Sequence, residues 1–143
     1  MKIREVMTET VEYIESSMSL MDAAKRMKAL DCGFMPVSDK AKTKLLGVIT
    51  DRDITIRGLG EGLDPEKTTV DQIKSPKVLY CYAGDDVESA AESMRKQRVY
   101  RLIVLDNEKQ KNLAGIITLG DLMRVNQNLL ASQAARAIVE NAA

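Results

Sequence analysis

At 143 residues, with 45% hydrophobic and 29% charged residues, the chain is long enough to bury a core and reads as one globular domain or two small coupled ones. Its 21 basic residues balance 21 acidic ones, so the basic footprint of a general nucleic-acid binder is missing, and no Lys/Arg cluster points to a membrane surface. Histidine is absent, which removes the commonest general base and metal ligand and every Ser-His or Cys-His nucleophile; neither an enzyme nor a metal site is expected.

The opening residues, MKIREVMTETVEYIESS, scatter charge where a signal peptide needs a continuous apolar stretch. No apolar run elsewhere approaches the length that spans a bilayer, so a cytoplasmic protein is expected. TVEYI (10–14) is the first predicted strand. Ser19 is then placed to N-cap a helix whose apolar stripe is Leu20, Ala23, Ala24, Met27 and Leu30. FMPVS and LLGVIT, joined by a polar turn, predict a hairpin-like strand pair, with a helix starting after Thr50. GLGEGLDPEKTT (58–69) has the glycines, proline and charges of a surface linker. The order then repeats: KVLYCY as a strand, Asp86 as N-cap, Val87, Ala90, Ala91 and Met94 as a stripe, RLIVLD and LAGIIT as strands, and a helix after Thr118. In the tail, Met123, Leu130, Ala134, Ala137 and Ile138 mark one helical face, fit to fold back on its own unit or to meet a second copy. Cys32 and Cys81 lie beside apolar stretches with no second cysteine nearby, and both read as buried thiols.

Sliding the chain against itself makes the repeat explicit. At an offset of 67, VEYI lies over VLYC and LMDAAKRM over VESAAESM. One added residue in the following turn changes the offset to 68, bringing Leu45, Gly47, Ile49, Thr50 and Asp53 onto Leu113, Gly115, Ile117, Thr118 and Asp121. The expected fold is α+β: two βαββα units packed about an approximate two-fold axis, with a C-terminal helical tail. The boundaries read this way are 1–68 for the first unit with its linker, 69–125 for the second, and 126–143 for the helical extension.

The recurring Thr-x-x-Asp has two physical readings. As a capping box, the threonine hydroxyl accepts from the amide three residues on, and the carboxylate faces the helix's positive end. As a site, a carboxylate with two oxygens accepts from a ligand's neighbouring hydroxyls while the threonine hydroxyl and free helix amides donate to an anion. Duplication copies a cap as faithfully as a site, so both readings stand.

The tandem βαββα unit, the strands ending in GVITDRD and GIITLGD, and YRLIVLD before the last strand resemble a pair of CBS domains, or Bateman module, over about residues 3 to 125. DRDITIRGLGEGLDPEKTTVDQI further resembles small bacterial stand-alone CBS-pair proteins. The resemblance implies a non-enzymatic sensor that needs no cofactor. Such a protein binds AMP, ADP, ATP or S-adenosylmethionine in the cleft between two units, forms a homodimer, and regulates a separate effector protein. The alternative is a structural or protein-interaction module with empty or vestigial pockets.

Carried onto this chain, the resemblance puts Asp53 and Asp121 on the ribose and Thr50 and Thr118 near ribose or phosphate. Because the acid repels phosphate, a cation is needed. Arg101 interrupts an apolar strand, and burying it unpaired is costly; it faces water, pairs with an acid, or grips the phosphate, as the resemblance implies. The first copy departs from the pattern with Phe34 at this place, where Arg52 either compensates or lies on a solvated face. The pocket of Thr118, Asp121 and Arg101 therefore ranks above that of Thr50 and Asp53. Adenine needs a flat apolar slot. The candidates are Ile14, Met35, Pro36 and Val37 in the first copy and Cys81, Tyr100, Leu102 and Ile103 in the second. Plain core is the competing reading for all but Tyr100, whose ring can stack on a base.

Overall fold

A computed structural model describes residues 1–9, 12–41, 44–125 and 128–141, the side chains of 128–131 and 141 excepted. In chain order its elements are β1 (Thr8–Glu9), β2 (Ile14–Glu15), α1 (Leu20–Leu30), β3 (Phe34–Ser38), β4 (Leu45–Thr50), α2 (Val70–Ile73), β5 (Tyr80–Tyr82), α3 (Val87–Gln97), β6 (Arg101–Leu105), β7 (Leu113–Thr118), α4 (Leu119–Arg124) and α5 (Asn128–Asn141). The α+β class and the doubled unit are as the sequence predicts. Thr10 and Val11 of the first predicted strand lie outside the described residues.

Two compact units divide the chain: Glu12–Val78, and Leu79–Ala143 together with Met1–Val11. In the Glu12–Val78 unit, β2 runs parallel to β3 and β3 antiparallel to β4. The Ser19 hydroxyl accepts the Asp22 N–H at 3.1 Å and starts α1, which ends at Asp31 in the left-handed conformation, φ 51°. Leu20, Ala23 and Met27 bury against Ile14, Met35, Val37 and Ile49. Ala24 and Leu30, expected on the same stripe, are exposed, so the buried face of α1 is narrower than the pattern predicts. In the other unit the order is β1-β7-β6-β5, and Val87, Ala90, Ala91 and Met94 of α3 are all buried. Asp86 occupies the N-cap of α3 but makes no side-chain cap bond. Its carboxylate accepts instead from Lys2 Nζ at 2.9 Å, and that hydrogen bond holds it below the usual carboxylate range.

The Lys2 contact belongs to a reciprocal exchange of leading segments. Lys2 bridges Asp86, and Thr69 bridges Ser19; Lys2 and Thr69 are sixty-seven residues apart, as are Ser19 and Asp86. Ile3, in a short 3-10 turn (Ile3–Glu5), is fully buried in the core of the Leu79–Ala143 unit, whereas Val70 and Ile73 of α2 fill the core of the Glu12–Val78 unit. Each repeat's lead thus completes the other repeat's core, and the spatial boundaries differ from the 1–68 and 69–125 boundaries of the sequence repeat. The paired glycines admit these segments: a Cβ on Gly47 would lie 2.3 Å from the Ser75 carbonyl oxygen, and one on Gly115 2.4 Å from that of Thr8.

Three further expectations are corrected. GLGEGLDPEKTT is not a linker between units but a clamp on α1: the Leu20 and Met21 amides, orphaned in the first helical turn, donate to the carbonyls of Thr68 (2.9 Å) and Pro65 (3.0 Å). Cys32 is exposed, because it follows the left-handed turn at the end of α1 before the chain re-enters the core at Met35. Cys81 is buried, and burial, assisted by nearby Asp85, pushes its thiol up to about 12. The helix after Thr50 is a π-helix over Asp53–Gly58, in which the Leu59 amide reaches the carbonyls of Ile54 and Thr55. The β-branched run Ile54, Thr55, Ile56 followed by Gly58 weakens ordinary α-geometry there.

The tail resolves to its own unit. α5 packs against α3 and α4, and Ala134 is fully buried in their shared core, with Ala137 and Ile138 half-buried and Met123 of α4 exposed. The Leu130 side chain lies outside the described residues. Among the described residues no helix is long and apolar enough to cross a membrane.

Candidate functional site

Antiparallel pairing of β6 with β7 sets Arg101 opposite Thr118. The Leu119 amide donates to the Tyr100 carbonyl at 2.8 Å, tying the start of α4 to the start of β6. Thr118 then caps α4: its hydroxyl accepts the Asp121 N–H at 3.2 Å, and Asp121 Oδ2 accepts the Thr118 N–H at 2.8 Å. Asp121 Oδ1 takes a guanidinium N–H of Arg124. With 3% of its surface exposed, Asp121 is a buried carboxylate compensated by an amide and a cation.

Beside this cap, the Arg101 guanidinium carbon stands 4.6 Å from the centroid of the Tyr100 ring, a cation–π contact that covers one face of the ring. Tyr100 itself is 52% exposed. Tyr100, Arg101, Thr118, Leu119 and Gly120 line one side of a cleft of about 350 Å³. Its other side comes from α5, through Ala135, Ile138 and Val139. The cleft surface is almost wholly apolar, with Arg101 and Thr118 among the residues that line it.

The structure therefore brings Tyr100, Arg101 and Thr118 together, with Asp121 buried in the cap behind Thr118. The other base-slot candidates of this repeat do not reach the cleft. Leu102 and Cys81 lie in the hydrophobic core, and Ile103, one residue out of phase with Leu102, is buried on the opposite face of the strand.

The first repeat carries the same cap with different surroundings. The Thr50 N–H donates to Asp53 Oδ2 at 2.9 Å, and the Asp53 N–H to Thr50 Oγ1 at 3.0 Å. Phe34 stands opposite Thr50, where the second repeat has Arg101. The cation on Asp53 Oδ1 is Arg57, 3.8 Å away, while Arg52 is exposed. Ile14, Met35 and Val37 are core residues, and Pro36 is buried on the alternate strand face. Arg57 and Arg124, at i+4 and i+3 from the capping acids, escaped the sequence reading, although helical spacing of acid and base is a legible signal. The α5 wall escaped it too, since a stripe identifies a face and not what the face meets.

Set against known proteins, the chain matches the CBS domain model twice, over residues 3–59 and 70–128. It is 33% identical over 125 residues to CBS domain-containing protein YhcV of Bacillus subtilis, covering 87% of this chain and 84% of the relative. The crystal structure of Hypoxic Response Protein I with two coordinated zinc ions superposes with a TM-score of 0.76 at 30% identity, over 87% of this chain and 98% of that one. The CBS domain of the bacterial CNNM/CorC family Mg2+ transporter in complex with ATP superposes with a TM-score of 0.72 at 26% identity, over 86% of this chain and 84% of that one.

Proposed function

The chain belongs to the CBS domain family, and from that premise we propose that it is a non-enzymatic regulatory module that binds an adenine nucleotide or related adenosyl molecule and conveys its occupancy to a separate partner protein. The observation that carries this reading is that Arg101, opposite Thr118 in the β6–β7 pair, lines with it a mostly apolar cleft. A guanidinium and a hydroxyl suit a phosphate, and the apolar walls suit a base. The ATP complex of the transporter CBS domain supports the ligand class.

In this reading Arg101 and Thr118 hold phosphate and ribose, and Tyr100 packs its free edge or remaining face on the base. Asp121 acts as a positioning residue, since its carboxylate is buried behind the cap and tied to Thr118 and Arg124. The Thr118 pocket outranks the Thr50 pocket because Phe34 supplies no charge opposite Thr50. The working form is a homodimer, for which the exposed apolar side chains Ile56, Leu59 and Leu63 offer a surface.

Thermal melts with AMP, ADP, ATP and S-adenosylmethionine at millimolar concentration test the reading. A ligand at about 100 times its Kd adds roughly 2.7 kcal/mol to the folded state. A clear upward shift with at least one compound is expected; flat melts with all four favour a purely structural module.

A further inference from the structure

We propose that α5 is a working part of the ligand site, supplying the wall that contacts the apolar portion of the ligand, so that occupancy of the cleft and docking of α5 are coupled. This rests on the adenosyl reading above and adds to it a segment outside the duplicated unit.

Three observations carry it. First, α5 turns one residue to the core and the next to the cleft: Ala134 is fully buried in the core, while Ala135, Ile138 and Val139 line the cleft. Positions 135, 138 and 139 follow the i, i+3, i+4 rule for a single helical stripe, so one rotation of the helix serves core and cleft together. Second, the stripe keeps apolar surface in reserve. Val139 is 69% exposed and Ile138 only half-buried, an unfavourable arrangement for large aliphatic side chains that a flat ring laid along them would relieve. Third, the two sides of the cleft differ in chemistry. Arg101 and Thr118 sit on the strand side, and among the described residues α5 contributes only Ala135, Ile138 and Val139 to the lining. A molecule with an anionic end and a flat apolar end touches both sides at once. By linkage, whatever bridges the two sides also holds α5 in place.

The consequence is specific. Ala135 is small, and its replacement by a large ring fills the cleft without altering Ala134. The experiment measures binding of AMP, ATP and S-adenosylmethionine by calorimetry to the wild type, Ala135→Phe, Val139→Asn and Arg101→Ala. It also follows amide hydrogen exchange over residues 132–140 of the wild type with and without each compound. Expected are a loss of about tenfold or more in affinity for Ala135→Phe, a smaller loss for the surface variant Val139→Asn, and slower exchange over 132–140 on binding. Binding that Arg101→Ala weakens but both α5 variants leave unchanged, with exchange over 132–140 unaltered, overturns the role of α5 and leaves the ligand reading in place. No binding of any compound to the wild type removes both.

Discussion

Thr118 and Asp121 satisfy each other twice: the Thr118 N–H donates to Asp121 Oδ2 at 2.8 Å, and the Asp121 N–H donates to Thr118 Oγ1 at 3.2 Å. Thr50 and Asp53 make the same pair of bonds in the first repeat, but Asp53 is less enclosed, with 19% of its side chain exposed against 3% for Asp121. Asp121→Ala is expected to lower stability by about 1–2 kcal/mol through loss of the cap, Arg124 adding little because it is mostly exposed. Asp53→Ala is expected to cost about 1 kcal/mol or less. Urea midpoints measure both, and a larger loss at Asp53 contradicts this ordering.

The exchange of leading segments makes a spatial prediction. Ile3 lies in the core of the unit that contains α3, not in that of the repeat it precedes. Ile3→Ala is expected to cost about 2–4 kcal/mol and to speed amide exchange in residues 79–125, leaving 12–78 the better protected. Val70→Ala is expected to do the reverse. Loosening of residues 12–78 by Ile3→Ala sinks the exchange.

At the repeated glycine, steric room is the determinant. A Cβ on Gly115 meets the backbone of Thr8, which cannot rotate away. Gly115→Ala is expected to destabilise by about 1–3 kcal/mol and to loosen the Thr8–Glu9 edge strand from β7, seen as faster amide exchange across the β1–β7 pair. An unchanged melting midpoint contradicts the close approach.

The two thiols separate by environment. Native protein is expected to give one fast thiol with a disulfide reagent at pH 8, Cys32, and a second only on unfolding, Cys81. The folded Cys81 thiol is raised from an ordinary value of 9.0 to about 12, so the unfolded chain loses this proton first as pH rises. Its contribution is complete below about pH 9 and falls away between about pH 9 and 12. Cys81→Ala is expected to flatten the decline in stability across that window; an identical slope in the variant contradicts the shift.

Periodicity and duplication made most of the fold legible. Ser19 and its stripe foretold α1, and the shifted match of GVIT with GIIT foretold β4 and β7. The exchange of leads stayed hidden because Ile3 matches Val70 and Val6 matches Ile73 in sequence, a correspondence that says these residues are equivalent but not which core each enters. The π-helix stayed hidden because capping at Thr50 and Thr118 is alike and only the residues after the cap diverge. In the site, the Thr-x-x-Asp spacing foretold the cap bonds, whereas Arg101 stands opposite Thr118 only through a register shift between Val104 and Leu105 that the strand pattern does not reveal. Burial of Leu102, Ile103 and Cys81 followed from packing that a strand pattern cannot assign to one face or the other.

In the proposed module Arg101 meets a ligand phosphate in the cleft of the second repeat. The most direct measurement is calorimetric titration of the wild type and Arg101→Ala with AMP and with adenosine. Removing a charge-assisted contact worth roughly 1.5 to 3 kcal/mol is expected to weaken AMP by at least about tenfold and to leave adenosine nearly unchanged. An equal loss for both compounds, or none for either, rules out a phosphate contact by Arg101.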